Sequence, residues 1–370
     1  MLFDEFNKGS LSLINRVVMA PMTRARNPNG IPNSMNAQYY GQRSGENGAG
    51  LIVTEGISIS PTAAGVLHIN GLFSNEQVEG WKLVTKTVHE AGSKVFAQLW
   101  HVGRVSHFTN QPNGAAPVAP SDIRASNSYA WGYDDNGKEN FVICSKPRAL
   151  SAFEIKDVVR DFAIAASNAI KAGFDGVELH GANGYLIEQF LNPAVNTRSD
   201  EYGGSIENRC RFLLEAIDAC IAEIGAARVA IRLTPYGGLH ELPHYPEIEQ
   251  TYQYLATELS HRQIAYIHIM DQKSRGSFAL PEGFLSRLRS WYESGVIILA
   301  GGLDKQKAEN LLKEGLIDLA AFGEPFIANP DLVVRLKNDW PVTPADRSLH
   351  YGGGARGYTD YTALTEKAVV

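Results

Sequence analysis

Short runs of apolar and β-branched residues recur along the chain, each closed by glycine or a polar residue. They predict strands over Val17–Ala20, Leu51–Val53, Lys94–Leu99, Gly176–His180, Val229–Leu233, Ala265–Met270, Val296–Ala300 and Asp318–Phe322. Between them, helical spacing predicts helices near 35–44, 76–91, 151–172, 205–223, 247–262, 281–293, 304–314 and 330–337. Ser151 with Glu154 three residues later is a capping-box start. Ahead of the first run, apolar alternation around Asn7-Lys8-Gly9 predicts a hairpin within 2–15. Residues 101–150 have little periodicity and much Gly, Pro, Asn and Ser, with a second hairpin predicted around Asp134–Gly137.

Alternating strands and helices mean a parallel sheet. Eight such units across this length predict an α/β fold, a (β/α)8 TIM barrel, filling 1–370 as a single domain. The N-terminal hairpin precedes it and 101–150 is an excursion after the third strand. An open doubly wound sheet is the competing architecture. It calls for a G-x-G-x-x-G turn after an early strand, and neither that motif nor a Walker A loop occurs.

Composition narrows the class. The 370 residues are 44% hydrophobic and 20% charged, with a net charge of -6, which argues against nucleic acid or an anionic membrane as partner. No apolar run approaches the roughly 18 residues of a membrane span. Cys144, Cys210 and Cys220 fit no zinc spacing, and an odd, low cysteine count points to a reducing cytoplasm. Too few carboxylates stand at the strand ends to assemble a metal site from different strands, so none is expected.

A barrel gathers its chemistry where the strands end. The fourth strand ends in His180, with Asn183 and Tyr185 just beyond, an imidazole, an amide and a phenol within six residues. Side chains alternate, so Gly176, Glu178 and His180 share one face. Such a cluster suits gripping a carbonyl oxygen and delivering a proton beside it; a polar loop satisfying its own backbone is the plainer account. Gln98 and Arg232 face inward on their strands and suit the imide edge of a planar heterocycle. The alternative for Arg232 is a buried pair with Glu178. Gly301-Gly302 and Gly323 follow the seventh and eighth strands, where bare backbone N–H groups favour a phosphate. His268, mid-strand, reads as a core histidine, and Lys273 as a solvated loop lysine.

Several long motifs then resemble one family. They are Ala20-Pro21-Met22-Thr23-Arg24, Gln98-Leu99-Trp100-His101, the run from Glu178 to Leu186, the run from Asn196 to Ser205, Asn329-Pro330-Asp331-Leu332 and Tyr351-Gly352-Gly353-Gly354. In this order and over essentially the whole length, the chain resembles the Old Yellow Enzyme family of flavin ene-reductases. The resemblance implies non-covalent FMN, with NADPH or NADH entering the substrate pocket as reductant in a ping-pong reaction. By position, Thr23 would contact the flavin near O4 and N5, Gln98 its pyrimidine edge and Arg232 its N1/O2 side. Pro21, Met22 and Gly56 would line the ring, and Gly301, Gly302 and Gly323 would lie near the phosphate. His180 and Asn183 would hold the oxygen of an activated alkene or nitro compound, Tyr185 would donate the proton, and Trp100 and Tyr351 would shape the pocket.

Two positions depart from the family pattern. Glu324 stands where an arginine usually helps hold the phosphate, so its carboxylate is expected to turn away and another cation to compensate. Val66 stands where relatives often carry tyrosine, which predicts a smaller, less polar wall. The competing functions are a flavin-free barrel lyase or aldolase, which needs a positioned lysine or metal, and a non-catalytic flavin sensor, which needs neither proton donor nor oxyanion pair. A cytoplasmic monomer or homodimer is expected.

Overall fold

The computed structural model describes residues 1–364. Eight parallel strands close into a barrel in sequence order: β1 (Val17–Met19), β2 (Leu51–Ser58), β3 (Lys94–Trp100), β4 (Gly176–Gly181), β5 (Val229–Leu233), β6 (Ile267–Met270), β7 (Ile297–Ala300) and β8 (Leu319–Phe322). The strands are apolar on both faces because both are covered. Outward side chains such as Ile52, Val95, Leu179 and Ile231 join the large core shared with the helices. Inward ones such as Val18, Val53, Phe96, Ala230 and Ile298 form a separate interior cluster.

That interior cluster also takes in Phe6, Leu11 and Leu13. They belong to the N-terminal hairpin, Phe6–Lys8 paired antiparallel with Leu11–Leu13, which seals the barrel at the strands' amino ends. Lys8 fastens it there, donating through Nζ to the Gly295 carbonyl at 2.9 Å and to Asp318 Oδ1 at 3.0 Å.

The helices follow the predicted pattern. The one over Ala152–Lys171 begins at Ser151, whose side chain accepts from the Glu154 N–H while Glu154 reaches back, a cap worth about 1 kcal/mol. The excursion carries the antiparallel hairpin Tyr129–Tyr133 with Glu139–Ile143. Trp131 stitches this hairpin to the segment after β2: its N–H donates to the Gly65 carbonyl at 3.3 Å, and its carbonyl accepts from the Leu67 N–H at 3.1 Å.

Some elements differ from the sequence expectation. β2 runs on to Ser58, with a shift in its pairing to β3 between Val53 and Gly56. Thr54 and Glu55 are polar but buried within it, which hides the strand from an apolarity pattern. Helices over Leu186–Leu191 and Glu324–Ala328 fall where none is expected. The first is buried on every side, so it shows no polar face to give a helical period. Among the described residues, no helix is long and apolar enough to cross a membrane.

Candidate active site

Pairing register stacks the polar interior side chains in layers toward the strands' carboxyl ends. Glu178 lies opposite Gln98 on one side, and His180 opposite Arg232, which in turn lies opposite His268. Glu178 is fully buried and takes two hydrogen bonds, from Gln98 Nε2 and His268 Nδ1, each at 2.8 Å. Burial pushes this carboxyl up, but His268, Arg232 and Gln98 more than offset it and hold it below the usual range. Burial also lowers His268, so the pair is a carboxylate with a neutral imidazole donor, and Arg232 supplies the nearby positive charge.

Arg232 does not form the ion pair with Glu178 weighed as its alternative. Its register partner is His180, one layer above Glu178, so the guanidinium extends toward the mouth. There Nη2 meets Met270 Sδ at 3.3 Å, and Nε has no partner among the described residues. Burial brings it down to about 10, which leaves it charged at neutral pH. A buried guanidinium so poorly satisfied calls for an acceptor from outside the chain.

Asn183 and Tyr185 follow just past the strand end and stand beside His180. Burial, reinforced by the Arg232 charge, lowers His180 well below 6.5, so it is a neutral imidazole, and its Nδ1 is buried without a partner. Asn183 adopts the left-handed region with φ 59°, which asparagine tolerates better than most residues. Its N–H donates to Thr234 Oγ1 at 3.0 Å, and that hydroxyl donates to the buried Glu188 at 2.8 Å. The Tyr185 ring is enclosed by Trp100 at 4.8 Å, His180 at 5.1 Å and His240 at 5.3 Å between centroids. Burial pushes its phenol up to about 12, so the proton stays on.

The remaining expected residues ring the same opening. Pro21, Met22 and Thr23 are half-buried just after β1. The buried Glu55 fixes that turn, accepting from the Arg24 N–H at 3.0 Å and the Ala25 N–H at 3.3 Å. The Trp100 indole lies across Gly56, and its Nε1 is buried without a partner. Val66 and Tyr185 pack on the apolar cluster that contains Trp100. Tyr351 is exposed, and the neighbouring Gly352 N–H donates to the Arg24 carbonyl at 3.1 Å.

At the far side, Gly301 has φ 107°, and a Cβ there would lie 2.1 Å from the Asp271 carbonyl oxygen, so no side chain fits. Gly302 follows it, and Gly323 sits beside the Met22 thioether. The Glu324 carboxylate faces Arg347, with Oε1 and Nε 3.9 Å apart and both side chains exposed. The motif from Asn196 to Ser205 lies apart from this opening. It braces the excursion, with the Thr197 N–H donating to Ser121 Oγ and Arg198 Nη1 to the Pro120 carbonyl, each at 2.9 Å.

Sequence reasoning missed Glu55, Glu188, Thr234 and His240. Each acts through partners distant in sequence, and a single acid, threonine or histidine carries no signal of that.

The poorly satisfied, buried guanidinium of Arg232 fits a planar, hydrogen-bonding, partly anionic ring system such as the isoalloxazine of FMN. A closed parallel barrel with this mouth belongs to the FMN-dependent oxidoreductases, with NAD(P)H as reductant. The chain is a member of the NADH:flavin oxidoreductase / NADH oxidase family, whose profile matches residues 1–342, and within it of the Old Yellow Enzyme group. It is 41% identical over 370 aligned residues to 12-oxophytodienoate reductase 1 of Oryza sativa subsp. japonica, covering 99% of this chain and 93% of that one. The solved morphinone reductase is 44% identical with a TM-score of 0.95, over 99% of this chain and 97% of that one. The old yellow enzyme homologue from Zymomonas mobilis is 36% identical with a TM-score of 0.91, over 98% and 99% of the two chains.

Proposed function

We propose that the chain is an ene-reductase that saturates the C=C bond of α,β-unsaturated carbonyl or nitro compounds at the expense of NADPH or NADH. The observation that carries this reading is the meeting of His180, Asn183 and Tyr185 beside the poorly satisfied Arg232, the register partner of His180. Bound here, FMN would supply two-electron hydride chemistry between NAD(P)H and the alkene. Arg232, with Gln98, holds the ring's polar edge and stabilises negative charge there. Pro21, Met22, Thr23 and Gly56 line the ring, and the backbone at Gly301, Gly302, Gly323 and Glu324 borders the phosphate.

His180 and Asn183 donate to the carbonyl or nitro oxygen, where charge builds as the β carbon is reduced. Each such donor is worth on the order of 10² to 10³ in rate. Tyr185 then gives its proton to the α carbon. Its raised pKa keeps that proton in place until a carbanion-like centre needs it. Trp100, Val66 and Tyr351 form the wall, and Val66 leaves room for bulkier alkenes than a tyrosine there.

Tyr185→Phe tests the assignment. Anaerobic reduction by NADPH is expected to stay within a few-fold of wild type, while reoxidation by 2-cyclohexenone slows by on the order of 10² to 10⁴. Equal slowing of both half-reactions would remove Tyr185 from the proton-donor role.

A further inference from the structure

The amide of Asn183 serves a substrate oxygen in only one of its two orientations. Its oxygen and nitrogen have nearly the same shape, so something has to select the side that faces the mouth. We propose that Gln272 selects it, as the positioning residue that keeps the Asn183 NH₂ group turned toward the substrate. This rests on the reading of Asn183 as a donor to the substrate's oxygen.

Gln272 lies just past β6 and is 1% exposed. The Gly238 N–H donates to its Oε1 at 3.0 Å. A backbone N–H cannot accept, so the oxygen end of Gln272 belongs at Gly238. Its nitrogen end therefore faces Asn183, where Nε2 donates to Oδ1 at 3.0 Å. That bond turns the Asn183 oxygen away from the mouth and leaves Nδ2, which has no partner among the described residues, as the free donor. Each direction follows from the one before, starting at a main-chain group that cannot flip.

The packing keeps the relay from rotating. A Cβ on Gly237 would lie 2.8 Å from Gln272 Oε1, so bare backbone closes on the amide. Reversing Asn183 would set its NH₂ against that of Gln272, two donors face to face in a buried place. The Thr234–Glu188 bonds hold the Asn183 main chain but do not bear on which way its amide points.

Orientation control has a chemical signature that packing alone lacks. A ketone oxygen only accepts, so a reversed Asn183 repels it. A carboxamide both donates and accepts, so it can turn over its own amide and keep the contact. The test uses the FMN-loaded full chain and two unreactive ligands, cyclohexanone and nicotinamide, with binding measured by calorimetry. In Gln272→Glu the new carboxylate accepts from both Gly238 and Asn183, reversing the amide. Ketone affinity is expected to fall on the order of tenfold or more, and nicotinamide affinity by less than about threefold.

Gln272→Met, uncharged and of similar volume, is expected to show the same selectivity at roughly two- to fivefold, because the freed amide samples both orientations. It carries the test if the charged variant fails to fold, as judged by Tm and FMN retention. On an Asn183→Ala background, Gln272→Glu is expected to add nothing further. Equal losses for the two ligands, or an unchanged ketone affinity in both Gln272 variants while Asn183→Ala weakens it, would overturn the positioning role alone. If Asn183→Ala itself leaves ketone binding intact, Asn183 is not the donor and the reading of the site falls with it.

Discussion

The floor and the mouth of the barrel are lined by the same strands, only two residues apart, and differ in almost everything else. At the floor, Phe96, Val53, Ala230 and Leu319 meet the hairpin's Phe6 and Leu11 in a purely apolar packing. At the mouth, Gln98, His180, Arg232 and His268 are as deeply buried, yet several of their polar atoms have no partner. These floor side chains have no polar atoms to satisfy, and those of the mouth do. One strand thus stabilises the fold at its beginning and does chemistry at its end, and substitutions at the two levels should separate stability from rate.

The largest separation is expected at the mouth. His180→Ala removes one donor to the substrate oxygen and should lower kcat/KM for 2-cyclohexenone by on the order of 10² to 10³. Tm should stay close to wild type, because His180 has no hydrogen bond among the described residues that its loss would orphan; a large fall in Tm would erase the contrast. Phe96→Ala should do the reverse. It should cost about 3–5 kcal/mol in urea unfolding while the folded fraction turns over at nearly the wild-type rate.

Glu188, on the short helix beyond the fourth strand, gives a smaller effect that depends on pH. Burial raises this carboxyl from 4.5 to about 7, against the opposing bonds from Gly184 and Thr234. The folded chain therefore keeps a proton that the unfolded chain releases. The associated stability is present in full below the unfolded value and is lost as pH rises through about 7. Unfolding free energy should decline across that window by on the order of 3 kcal/mol from this group, and Glu188→Gln should flatten the slope. The smallest expected effect is Ser151→Ala, about 1 kcal/mol from a lost cap far from the mouth, with no change in turnover.

The barrel was legible because its strands are short and apolar and each is followed by a helical period. Boundaries were less so: β6 begins at Ile267 rather than Ala265, although the Ala265 N–H still donates to the Val229 carbonyl at 2.7 Å. Side chains in the local cluster His180, Asn183 and Tyr185 could be read together because they share one strand end. Arg232 could not be placed by alternation alone, since Glu178 is also inward and only the register puts the two on different layers. Gln272 was invisible, because a glutamine after a strand is unremarkable until Gly238 and Asn183 are seen on either side of it.

The segment that carries Val66 is tied by two main-chain hydrogen bonds to Trp131, far away in the excursion's hairpin. The pocket wall therefore does not vary alone. Insertions or deletions in the hairpin are inherited by the pocket, so lineages that differ in hairpin length should differ in the size of alkene they accept even where every mouth residue is the same. Laboratory selection for bulkier substrates should accordingly collect changes around Trp131 as well as at the mouth.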